Sequence, residues 1–137
     1  MKPKLWNKGR DYLSNKDKVL KSIIINYPNQ YLSTNKNLFH CLINSIIGQQ
    51  ISVIAANTIK NRFYLLHKNI TPTNVSKLSN TSLKKIGLSR QKISYVKNIA
   101  SFFHENNLFI KNINSYTEKE IKDKLIIIKG VGEWTAD

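Results

Sequence analysis

The sequence predicts an all-α fold of short helices joined by tight turns. Apolar residues recur every three or four positions along most of the chain. No stretch alternates apolar and polar residues as a half-buried strand would. The segments in between ("YPNQ", "TPTN", "IGLS", "KGVG") are brief and rich in Pro, Gly, Asn and Ser. Together these signals give roughly seven to nine helices.

The elements follow in order. Lys16 to Tyr27 reads as a helix closed by Pro28. In "LFHCLINSII" the residues Leu38, Phe39, Leu42, Ile43, Ile46 and Ile47 share one helical face. Gly48, Gln49 and Gln50 then form a turn into a second apolar helix, "ISVIAANTIKNRF". In "KISYVKNIASFF" the stripe is Ile93, Val96, Ile99, Ala100 and Phe103. In "TEKEIKDKLIII" it is Ile121, Leu125 and Ile128, with Lys119, Lys122 and Asp123 facing away. Thr117 followed by Glu120 is a capping-box signature at that helix's start. The many isoleucines lower helix propensity slightly, but the periodicity outweighs them.

Length and composition bound the function. A chain of 137 residues with 41% hydrophobic content fits a single domain over residues 1–137. No apolar run approaches the roughly 18–20 residues of a membrane span, so no membrane partner is expected. The start, "MKPKLWNKGRDY", lacks the apolar core of an export signal. The single cysteine, Cys41, allows no intrachain disulfide, which suits a reducing, cytoplasmic setting; within its apolar run it reads as a buried, inert thiol. His40, His67 and His104 lack metal-ligand spacing, so no zinc is expected. The net charge of +14 makes a polyanion, nucleic acid first, the expected partner. Lysine occurs 19 times, isoleucine 19 and asparagine 17, against 3 arginines. All three abundant residues have A/T-rich codons, so base composition alone could also raise the charge.

The end of the chain, "LIIIKGVGEWTAD", reads as helix, hairpin, helix over residues 117–137. Gly130 and Gly132 give backbone freedom and allow close approach to another surface. Amides at the start of the second helix form an anion site beside Lys129, a contact that grips a phosphate without reading sequence. Val131 at the tip packs between the helices or touches a sugar. An ordinary αα-hairpin capped by glycine would carry the same glycines. "LKKIGLSRQK" faintly echoes the pattern, with a Gly turn after an apolar helix end.

"GVGEWTAD" after "EIKDKLIIIK" resembles the helix-hairpin-helix of the base-excision DNA glycosylase superfamily. "SIIGQQISVIAANTIKNRF", "ITP" at Ile70–Pro72 and "LKKIGLSRQKISYVKNIA" match further segments in the same order, so that the resemblance covers roughly residues 16–137. They are similar to the branch that excises alkylated bases, the DNA-3-methyladenine glycosylase II type. The resemblance implies a monomer acting on double-stranded DNA in base-excision repair. It puts Gln49 or Gln50 at the wedge that fills the gap left by a flipped base. It makes Lys92, near Arg90 and Tyr95, a candidate phosphate contact. Trp134 stands where lyase-active members carry a Schiff-base lysine, which implies simple base removal; its indole would face an electron-poor alkylated base. No cofactor is implied; the resemblance allows a monovalent cation held by the hairpin carbonyls of Gly130 and Gly132.

Cleaving an N-glycosidic bond builds oxocarbenium character and calls for a carboxylate near the anomeric carbon. The resemblance puts that aspartate after the second hairpin helix, beyond Asp137, and Asp137 itself at a helix position. Asp11, Asp17, Glu105, Glu118, Glu120, Asp123 and Glu133 match no catalytic position. The expectation is therefore an N-terminal part of a glycosylase lacking its closing helices, with exposed apolar surface near the cleft. The alternatives are a non-catalytic DNA-binding remnant and a helical interaction domain.

Overall fold

The computed structural model describes residues 3–32, 35 and 37–136. Among them the chain is helical, with no strand. The order is α1 (Trp6–Lys16), α2 (Lys18–Asn26), α3 (Leu38–Gly48), α4 (Val53–Leu65), α5 (Pro72–Lys77), α6 (Asn80–Lys85), α7 (Arg90–Glu105), α8 (Asn107–Lys111), a 3-10 turn (Ile113–Ser115), α9 (Glu118–Leu125) and α10 (Glu133–Ala136). No helix among the described residues is long and apolar enough to cross a membrane.

The chain divides into two compact units, Met1–Lys36 and Asn37–Asp137, where the sequence suggested one domain. In the first unit α1 and α2 pair, yet neither contains a buried residue. That is why α1 escaped prediction: it has no apolar stripe to mark it. Its end is set by Asp17, whose extended backbone and side chain, accepting from the Val19 and Leu20 amides, break the expected Lys16–Tyr27 helix and start α2. Arg10 fastens the pair by donating from Nη1 to the Pro28 carbonyl at 2.7 Å.

The second unit holds the core. α3 buries Phe39, Leu42, Ile43, Ile46 and Ile47, and α7 buries the predicted stripe of Ile93, Val96, Ile99, Ala100 and Phe103. Phe63 of α4, Val75 of α5, Leu83 of α6 and Leu125 of α9 complete it. Each fully buried side chain of this kind contributes about 1.5–3 kcal/mol relative to exposure. The short helices begin at side-chain caps: Ser52, Thr71, Ser79, Ser89 and Thr117 each accept from an amide three residues on. At Thr117 the capping box is complete, Glu120 accepting in return from the Thr117 amide at 2.8 Å. Pro72 occupies the first turn of α5, where no amide is needed.

Helix α7 is the organising element, packing against α3, α5, α6 and α8. Two of its lysines bind the carbonyl ends of its neighbours, where a cation is favoured. Lys97 Nζ donates to the carbonyls of Ser76 (2.7 Å) and Leu78 at the end of α5. Lys92 does the same at the end of α3. Cys41 is half-buried rather than buried, because it sits at the edge of the α3 stripe; burial still raises its thiol pKa.

Candidate nucleic-acid interface

Two turns, far apart in sequence, lie together in the second unit. The first joins α3 to α4. Gly48 ends α3, Gln49 follows with φ −56° and ψ 130°, and Gln50 takes φ 56°. Gln50 is the only non-glycine at positive φ among the described residues. That conformation costs a residue with a Cβ roughly 1–2 kcal/mol, so something must hold it. Lys92 Nζ reaches in from α7 and donates to the carbonyls of Ile47 (2.8 Å) and Gln49 (2.7 Å). Hydrogen bonds from a charged group contribute about 1.5–3 kcal/mol each, enough to offset the backbone cost. Burial lowers the Lys92 pKa. Gln50 is exposed and projects from the turn, whereas Gln49 is half-buried and directs its amide at the second turn.

The second turn is the hairpin between α9 and α10. Ile128 and Val131 are buried and anchor it. Gly130 has φ +108°, and a Cβ built on it would lie 2.3 Å from Cγ of Tyr95. The hairpin main chain therefore rests on the Tyr95 ring at a distance open only to glycine. Gly132 has no such neighbour; a Cβ there would meet nothing within 4 Å. Among the described residues no acceptor faces the amides of Gly132, Glu133 and Trp134, while Gly132 O accepts from Thr135 and Ala136.

The two turns meet. Gln49 Nε2 lies 3.5 Å from Gly130 O, a long and weak contact, and Asn98 Nδ2 donates to Lys129 O at 3.1 Å. The structure thus gathers Gln49, Gln50, Lys92, Lys129, Gly130 and Val131 at one place. It gives some of them roles other than those expected. Lys92, expected at a phosphate, has two of its three N–H groups on carbonyls. Of the two roles open to Val131, packing fits its burial in the core. Trp134 is 93% exposed, so it is not a core tryptophan. Asn98 escaped sequence reasoning, although Lys92, Tyr95 and Asn98 each precede a buried stripe residue of α7, which marks one shared flank.

Among the second unit's described acidic residues, Glu133 lies at the hairpin, opening α10. Glu133 pairs with Lys122 at 3.8 Å, and Glu120 is held in its capping box. Glu118 and Asp123 are exposed on α9, and Glu105 ends α7. Asp137 lies outside the described residues. Exposed apolar side chains do flank the first turn, at Ile51, Val53 and Ile54. His40 Nε2 pairs with the Ile70 carbonyl and His67 Nδ1 with its own loop.

The profile of the HhH-GPD superfamily of base excision DNA repair proteins matches residues 43–131. DNA-3-methyladenine glycosylase 1 of Schizosaccharomyces pombe is 30% identical over 125 residues, covering 88% of this chain and 54% of that protein. DNA-3-methyladenine glycosylase of Saccharomyces cerevisiae is 28% identical over 117 residues, covering 78% and 40%. The chain thus spans about half the length, or less, of these curated relatives. Among solved structures, the S. pombe 3-methyladenine DNA glycosylase in complex with abasic DNA superposes with a TM-score of 0.81 at 27% identity, covering 94% of this chain and 66% of that one. DNA-3-methyladenine glycosidase of Bacillus halodurans gives 0.71 at 30% identity, covering 78% and 50%.

Proposed function

The chain belongs to the HhH-GPD superfamily of base excision DNA repair proteins, and from that premise we propose that it grips duplex DNA and extrudes an alkylated base for removal, as a DNA glycosylase of the 3-methyladenine type. The observation that carries this reading is the meeting of two exposed turns on one face, an outward Gln50 beside a glycine hairpin with open amides. The hairpin amides and Lys129 take a phosphate, which fixes position without reading sequence. Gln50, rather than half-buried Gln49, enters the stack and offsets part of the unstacking cost of a few kcal/mol. The exposed indole of Trp134 stacks on an electron-poor base and attracts it if cationic, a contribution of about 0.5–2 kcal/mol. With tryptophan at that position there is no amine for a Schiff base, so the step is hydrolysis: the C1′–N bond breaks, the base leaves and water supplies the new oxygen.

Hydrolysis needs a carboxylate; the one at this turn, Glu133, opens α10 and pairs with Lys122 at 3.8 Å. None of the second unit's described carboxylates stands at a position that the resemblance makes catalytic, so these residues are assigned the gripping and base-extruding part. That same observation favours the second reading, a non-catalytic DNA-binding module. As for a monovalent cation, the carbonyls of Gly130 and Gly132 already accept hydrogen bonds. A cation there would have to share them.

The deciding assay incubates the 137-residue chain with duplex DNA carrying alkylated purines and scores abasic sites. Tight binding without base release fits the gripping unit. Release at enzyme-like rates would show that the carboxylate is present in the chain after all. If log K against log salt is flat, both DNA readings fail.

A further inference from the structure

Three residues on one flank of α7 touch both turns. Lys92 holds the carbonyls of Ile47 and Gln49. Tyr95 lies flush against Gly130. Asn98 donates to Lys129 O. They stand at i, i+3 and i+6, neighbours along a helix surface, and the six-residue interval spans about 9 Å of helix axis. The Tyr95 hydroxyl is itself held, accepting from Gln91 Nε2 at 2.7 Å. One rigid helix thereby sets the distance between the wedge turn and the hairpin.

We propose that Lys92 is a positioning residue that locks Gln50 in its left-handed backbone, and that the Lys92–Tyr95–Asn98 flank couples the wedge turn to the hairpin, so that DNA meets the two as one preformed platform. This rests on the glycosylase reading for its consequence on DNA, while the backbone lock stands on the protein alone. The lock differs from a phosphate contact in a measurable way. An ammonium on phosphate releases counterions and steepens the salt dependence by about 0.9 per contact; an ammonium on two backbone carbonyls does not.

The test uses the 137-residue chain and five variants: Lys92→Met, Lys92→Arg, Asn98→Leu, Gln50→Ala and the Lys92→Met/Gln50→Ala double variant. In DNA-free protein, the Cα and Cβ chemical shifts of Gln50 report its backbone. They should lose the left-handed signature in Lys92→Met and keep it in Lys92→Arg. Anisotropy titrations then compare a duplex carrying a tetrahydrofuran abasic analogue with the undamaged duplex. The preference for the first should fall about tenfold in Lys92→Met, about 1.4 kcal/mol, with the salt slope unchanged. Lys92→Met in the Gln50→Ala background should lower it no further. Asn98→Leu should shift the amides of Lys129 to Gly132 and lower the same preference while sparing the Gln50 signature.

An unaltered Gln50 signature in Lys92→Met overturns the lock. A slope shallower by about one unit reassigns Lys92 to a phosphate. Asn98→Leu without effect on the preference overturns the coupling. If Lys92→Met does not fold, loss of the Gln50 signature or of the preference in Lys92→Arg contradicts the rescue and sinks the lock. A wild-type chain with no preference for the abasic duplex removes the glycosylase reading, and the DNA-free shifts still decide the lock.

Discussion

Replacing Gly130 with alanine probes the closest approach in the interface. The new methyl carbon would lie 2.3, 2.6 and 2.7 Å from Cγ, Cδ1 and Cβ of Tyr95. These atoms form the root of the side chain, which cannot swing away without moving α7. Overpacking of this kind costs about 1–3 kcal/mol. The φ of +108° adds roughly 1–2 kcal/mol of strain for any residue with a Cβ. The sum, about 2–5 kcal/mol, is a large part of a typical domain's stability of about 5–15 kcal/mol. Gly87 and Gly132 serve as internal references. Gly87 has φ +107°, but its Cβ would meet only the Ile59 side chain at 3.3–3.4 Å, so alanine there costs mainly the strain. Gly132 has open space and no positive φ, so alanine should stay within about 0.5 kcal/mol. Urea unfolding followed by circular dichroism gives the three values, with unchanged m confirming a common unfolded state. The expected order of cost is Gly130, then Gly87, then Gly132. DNA affinity should separate the set differently, because a methyl at exposed position 132 stands between open amides and a phosphate. Gly130→Ala matching Gly132→Ala in stability would refute the close packing of the hairpin on Tyr95.

Three other predictions follow from the same geometry. Trp134→Ala should leave stability within about 0.5 kcal/mol, yet weaken binding to a duplex containing an alkylated purine by about 0.5–2 kcal/mol in anisotropy titrations. Hydrogen bonds from the Thr117 amide and hydroxyl hold the Glu120 carboxyl below the ordinary glutamate value. Its contribution is thus present above that value and lost as pH falls through the lower folded one. Thermal melts of wild type and Glu120→Gln should differ above about pH 5 and converge in stronger acid. Phe63, fully buried in the core of the second unit, should cost about 3–5 kcal/mol on replacement by alanine, measured by the same urea unfolding.

Much of the fold was legible because it is written at short range. The α7 stripe from Ile93 to Phe103 was identified residue for residue, since a helix buried along one face repeats its apolar side chains every three or four positions. The Thr117 capping box was legible for the same reason, as both partners lie within one turn. Helix α1 was missed because none of its residues is fully buried, and burial is what writes a periodic signal. The α9 helix ends at Leu125 rather than running on through Ile128: Ile126 and Ile127 are exposed, and Ile128 with Val131 anchors the hairpin.

The sequence by itself determined the helical class, the family and the identity of both turns. Only the tertiary structure decided what the residues in those turns do. It turned Gln49 inward and Gln50 outward, gave Lys92 two carbonyls, buried Val131 and laid Tyr95 against Gly130. The reason is separation along the chain. Lys92 and Ile47 are 45 residues apart, and Gln49 and Gly130 are 81. Helical periodicity carries no information over such intervals; the contacts arise when α7, packed through its apolar stripe, brings its polar flank against two distant turns at once.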